Sequence, residues 1–144
     1  MPSTTKARCE DCHPEAAAEF RLPFAHPLGT TIGCTSCHAA HGLPPREQRR
    51  HEREEACVGC HIEKRGPFVF PHEGDKTQQC LSCHEPHGSP NRRLLTHVDS
   101  RTLCFSCHET LEALHIQDPG SIFRECLQCH TQVHGSNWDE NLFR

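Results

Sequence analysis

Twelve cysteines and fourteen histidines stand in a chain of 144 residues, and every Cys belongs to a Cys-x-x-Cys pair followed at once by His. The six motifs are Cys9-Cys12-His13, Cys34-Cys37-His38, Cys57-Cys60-His61, Cys80-Cys83-His84, Cys104-Cys107-His108 and Cys126-Cys129-His130. Two thiols three positions apart can each form a thioether to one vinyl group of a haem, and the adjacent His then supplies a nitrogen to its iron. Zinc sites, thioredoxin-like redox pairs and disulfides also use Cys-x-x-Cys, but none of them requires His as the next residue. The expectation is therefore six c-type haems, with all twelve Cys as thioether anchors and His13, His38, His61, His84, His108 and His130 as proximal iron ligands.

Haem iron has a second axial position. Met1 is the single Met, all Cys are committed to thioethers, and there is no Tyr, so the second ligand must come from the eight remaining His. Six of these fall two per repeat unit: His26 and His41, His72 and His87, His115 and His134. His51 and His97 are left over; His51 lies in the charged run Arg46 to Glu55, which reads as a solvated helix face. His97 or His51 stands as the alternative to His115. A His three residues after a proximal His leaves the chain on nearly the same side, so it cannot reach the opposite face of the same macrocycle and must bind a neighbour. On that argument His41, His87 and His134 are expected on the irons of His13, His61 and His108.

The elements that must hold these residues repeat. Cys9 to Cys57 is 48 residues, Cys57 to Cys104 is 47, and both Cys34 to Cys80 and Cys80 to Cys126 are 46, which divides one hexahaem domain into three tandem two-haem units, about 1–45, 46–92 and 93–144. Phe24-x-His26 leading to Cys34 and His41-Gly42 matches Phe70-x-His72 leading to Cys80 and His87-Gly88. In the third unit Asp118 takes the upstream His position, and His134-Gly135 comes one residue late. Short helices are expected over Pro14 to Phe20, Arg46 to Ala56 and Glu109 to Ile116, with each haem motif on a helical turn. Eleven Pro and nine Gly interrupt the rest, so the fold class is a multihaem cytochrome c: irregular loops and short α-helices wrapped on a haem chain, with little or no β-sheet.

Composition agrees. Leu, Ile, Val and Phe make up only 26 of 144 residues, a level associated with disordered chains, so macrocycle packed on macrocycle must replace the aliphatic core. The net charge of −4 and the interspersed acids and bases argue against nucleic-acid binding. No apolar run reaches membrane-spanning length, and the start, Met1 to Lys6, lacks the apolar stretch of an export signal.

The doubled Cys-x-x-Cys-His-x-x-His-Gly pattern, Glu63-Lys64-Arg65-Gly66-Pro67-Phe68, the stretch Cys80 to Pro90 and the stretch Cys126 to Asn137 resemble the later portion of the decahaem c-type cytochromes of the MtrA/DmsE type. The resemblance implies bis-His haems in a linear wire on the periplasmic side, working in periplasmic, outer-membrane or extracellular electron transfer. It further implies donor and acceptor cytochromes as partners, and in that family an outer-membrane β-barrel porin. Six haems rather than ten also suit a soluble shuttle or a subunit that self-assembles into a filament. An oxidase or reductase needs an iron with an exchangeable position; with a second His available to every iron, the chain is expected not to be an enzyme.

Overall fold

A computed structural model describes residues 8–28, 32–39, 55–72, 79–109, 115, 120 and 124–143. His41, His51, Gly42 and Asp118 lie outside the described residues, as do most of the helices expected over Arg46 to Ala56 and Glu109 to Ile116. Of those two helices, a turn is seen over 55–58, and His115 is helical.

All six haem motifs adopt one local structure. In each, the amide of the proximal His donates to the carbonyl of the first Cys: His13 to Cys9, His38 to Cys34, His61 to Cys57, His108 to Cys104 and His130 to Cys126 at 2.9 Å, and His84 to Cys80 at 3.0 Å. This i to i−4 closure is one α-helical turn, and it presents two sulfurs and one imidazole from a single short arc. The motifs continue into helices only where flanking residues allow. Helix α1 (Cys9–Cys12) is the first motif itself. Helix α2 (Pro14–Glu19) follows, with Pro at its first position, where the missing N–H costs nothing, and a run of Ala behind it. Helix α3 (Ser100–Phe105) carries the fifth motif and is capped by Asp99, whose Oδ1 accepts from the Thr102 amide at 2.7 Å. The second, fourth and sixth motifs sit on single 3₁₀ turns, Cys34–Ser36, Gln79–Ser82 and Cys126–Gln128, while the third begins in the helical turn over 55–58.

Two antiparallel junctions tie the units together. Strand β1 (Phe24–Ala25) pairs with β2 (Gly88–Ser89) in the register Phe24 to Ser89 and Ala25 to Gly88. One repeat later, Phe70 forms an isolated bridge to Ser136, each amide donating to the other's carbonyl at 2.8 and 2.9 Å. Both junctions therefore join the Phe-x-His segment of one unit to the His-Gly-Ser segment of the next. Each Ser is almost wholly buried, Ser89 at 1% and Ser136 at 2% exposure, and its hydroxyl organises the loop that follows. The Ser89 Oγ accepts from the Asn91 amide at 2.9 Å and donates to the Leu95 carbonyl at 2.6 Å. The Ser136 Oγ accepts from the amides of Trp138 and Asp139, both at 3.1 Å.

Among the described residues Val58 is the one buried hydrophobic side chain. Among the described residues there is no aliphatic core, in keeping with the composition, and the elements are placed by backbone pairing and by turns around the motifs. No helix among the described residues is long and apolar enough to cross a membrane.

Candidate haem-binding sites

The motif turns bring the proximal imidazoles face to face with histidines from elsewhere in the chain. Five such pairs form: His26 with His61 at a ring-centroid separation of 6.3 Å, His38 with His87 at 5.8 Å, His72 with His108 at 6.1 Å, His84 with His134 at 6.3 Å, and His115 with His130 at 5.9 Å. Each contains one proximal His and one of the six remaining candidates. Two imidazoles on opposite sides of one metal, each bonded at about 2 Å and each with its nitrogen about 1 Å from the ring centre, have centroids about 6 Å apart. The rings are thus held at the separation an intervening iron needs.

The ring nitrogens are oriented to match. The Nδ1–H of His84 donates to the Arg93 carbonyl at 2.9 Å and that of His130 to the Asn141 carbonyl at 2.5 Å. His87 uses the same atom on the Glu19 carboxylate at 2.7 Å, and His72 hydrogen-bonds the Val133 backbone. An imidazole held through Nδ1 leaves Nε2 free for a metal, with its tautomer and ring plane fixed. The two carbonyls are aimed by the same device: the residue after each acceptor, Leu94 or Leu142, has positive φ, 56° and 60°. These turns bend the returning loop back over the ring. Burial, together with the facing His108, lowers the pKa of His72; burial, with Lys64 nearby, lowers that of His134. Both shifts favour the neutral form that ligates metals.

The sulfurs cluster between motifs. Burial and a hydrogen bond with Cys9 push the Cys34 thiol up, and burial and the charge of Cys107 do the same to Cys83. Cys104, half-buried beside Cys126, is pushed up to about 12 by desolvation and that neighbouring thiol. The surroundings of Cys104, which penalise a thiolate most, suit a thioether sulfur, which carries no proton to lose.

The pairing differs from the sequence expectation in two places. His87 faces His38 rather than His61, and His134 faces His84 rather than His108. The steric premise holds, since neither His meets the proximal residue of its own motif. The neighbour, however, is chosen by the junction ladder: pairing of His-Gly-Ser with the preceding unit's Phe-x-His carries the ligand across to that unit, and the His26 amide donates to the His87 carbonyl at 3.2 Å. In exchange His26 and His72 reach forward to the next unit's first motif. Sequence spacing contained no sign of this exchange, though the shared Phe preceding His26 and His72 marks the strand that performs it. His115 lies against His130, while the Nδ1 of His97 shares a hydrogen bond with Thr96 Oγ1 at 2.9 Å. Glu19, absent from the sequence expectation, has no motif signal at all.

The family model for the doubled CXXCH motif matches residues 26–66 and 72–113. The matched stretches begin at His26 and His72 and run from one expected unit into the next, enclosing the pairs His26 with His61 and His72 with His108. The multihaem cytochrome MtrA of Shewanella baltica (strain OS185) is 38% identical over 144 residues, covering 90% of this chain and 43% of that protein; the chain thus spans less than half the length of this relative. The repeated motif, its uniform turn and the facing imidazoles agree with these likenesses, and the chain belongs to the doubled-CXXCH family as a multihaem c-type cytochrome resembling MtrA.

Proposed function

We propose that the chain holds six c-type haems, each iron between two imidazoles, and conducts electrons along them in sequence order. The observation that carries this reading is the set of five His pairs, each joining a proximal His to a His of another segment at 5.8 to 6.3 Å. With those assigned, His41 is the ligand left for the iron of His13. The haems supply reversible one-electron chemistry; the polypeptide's part is to fix both axial nitrogens, exclude exchangeable ligands and hold adjacent motifs close.

Contacts between motifs support a linear order. Cys9 and Cys34 join the first two, and the backbone bond from His26 to His87 joins the second and third. Lys64 and Glu63, beside His61, lie near His134 of the fourth site; Cys83 and Cys107 join the fourth and fifth; Cys104 and Cys126 join the fifth and sixth. In this reading the protein is an electron carrier rather than an enzyme. Its partners are donor and acceptor cytochromes in the periplasm, at the outer membrane or outside the cell, with a β-barrel porin or a filament of further copies as the larger assembly.

Mass spectrometry of the natively matured protein tests the count: six covalent haems are expected, and fewer refute the ligand scheme. The reduced protein is expected to be low-spin and not to bind CO. Paramagnetic resonance of the oxidised protein sharpens the test. Perpendicular imidazole planes leave the two iron π orbitals nearly degenerate, whereas parallel planes split them. The His26–His61 planes cross at 85°, against 17°, 10° and 25° for the pairs His72–His108, His84–His134 and His115–His130. One strongly anisotropic signal with at least three rhombic ones is expected.

A further inference from the structure

His87 is held more elaborately than the other candidate ligands. Its Nδ1 lies 2.7 Å from the Glu19 Oε2, and the Phe20 ring packs on it at 5.1 Å, both residues coming from the end of α2 in the preceding unit. The approach depends on Gly88, where a Cβ would lie 2.1 Å from the Glu19 carbonyl oxygen. The described proximal rings at the fourth and sixth motifs donate instead to neutral carbonyls, and Glu15 and Glu63 stand 3.7 and 4.0 Å from the Nδ1 atoms of His13 and His61, beyond hydrogen-bond reach.

We infer that Glu19 is a positioning and tuning residue for the iron between His38 and His87, its carboxylate lowering that one haem's potential relative to its neighbours. The inference rests on the bis-His reading above. A carboxylate accepting from Nδ1–H draws the proton toward itself and raises electron density at Nε2, making the imidazole a stronger donor. A stronger donor stabilises ferric over ferrous iron. The change at the site is one electron, received from or passed to an adjacent haem, while the shared proton stays between Nδ1 and Glu19; no further reactant enters. The second site becomes a shallow step along the wire, filled last when electrons arrive and emptied first.

The experiment is a spectroscopically monitored redox titration of the fully loaded holoprotein with and without Glu19→Gln, which keeps an acceptor oxygen and removes the charge. One of six midpoints is expected to rise, by about tenfold in that haem's reduced-to-oxidised ratio at fixed potential, ~59 mV for one electron, and one paramagnetic signal to shift with it. Six low-spin haems with unchanged midpoints in the variant overturn the inference and leave the bis-His scheme standing. High-spin iron in the unaltered protein overturns the scheme itself. Should the variant fail to mature, the near-infrared charge-transfer bands of the unaltered protein, which move to higher energy as the axial imidazole gains anionic character, decide the matter: one band set apart from the other five is expected, and six coincident bands refute a special role for Glu19.

Discussion

The two junctions are built on the same pairing and dressed with opposite charges. Phe24 with Ser89 and Phe70 with Ser136 are equivalent ladders, and each delivers the His of a His-Gly-Ser segment to the second motif of the preceding unit. At the first junction that His meets a carboxylate, Glu19; at the second it lies near the ammonium of Lys64, whose effect on the ring outweighs that of the Glu63 carboxylate. The close approach is relieved differently as well: Gly88 makes room for the backbone of Glu19, whereas Gly135, at φ +136°, makes room for the side chain of Phe68. In the proposed scheme the ladder sets which iron a ligand serves, and the residues behind it set the electronic character of that ligand. Repetition of the first with variation of the second lets chemically identical cofactors differ along one short chain.

The largest effect is expected from removing the exchanged ligands. His87→Ala and His134→Ala should each open one iron to CO. Adding Cys34→Ser and Cys37→Ser to His87→Ala should abolish that CO-binding site, as should Cys80→Ser and Cys83→Ser with His134→Ala; persistence of the site in either combination would falsify the crossed pairing. Next come the glycines. Gly88→Ala must displace backbone and is expected to cost about 3 kcal/mol in chemical denaturation of the holoprotein, near the upper end for overpacking. Gly135→Ala meets a ring that can turn aside but takes on an unfavourable φ, so about 1–2 kcal/mol is expected; a larger loss at Gly135 would reverse the ranking of the two junctions. Ser89→Ala and Ser136→Ala, which strip part-buried amides of their acceptor, should each cost about 1 kcal/mol in the same measurement.

The smallest effect serves as a control outside both ladders. The Thr102 amide holds the Asp99 carboxyl below the usual carboxylate range, so the folded state binds that proton less readily than the unfolded one. The cap therefore contributes above the ordinary Asp value of about 4 and is lost as pH falls through the lower folded value. The stability difference between the natural protein and Asp99→Ala should shrink on acidification across that window, with both ladders unaffected.

The motifs were legible because their chemistry is local. Cys-x-x-Cys-His needs one turn, and one turn is what all six form. The poverty of aliphatic residues likewise announced a chain without an ordinary interior, and Val58 stands almost alone. Helix α2 follows from Pro14 and the alanines behind it. The exchange of His87 and His134 across the junctions was not legible, because it depends on strand pairing between segments about 65 residues apart, two residues long in one case and a single bridge in the other. So short a ladder leaves no alternating pattern to read. Glu19 was invisible for a related reason: its role arises only when α2 is brought against another unit, and an isolated Glu at a helix end otherwise reads as solvated.

On the proposed ligand scheme the neighbouring units trade histidines, so no unit can finish alone. A unit with its haems already attached still lacks axial nitrogens until the next one is loaded and laid alongside, and the same contact completes both. On that scheme, closure of the conducting path and closure of the protein would be a single event, and a chain with one cofactor missing would leave a junction unmade.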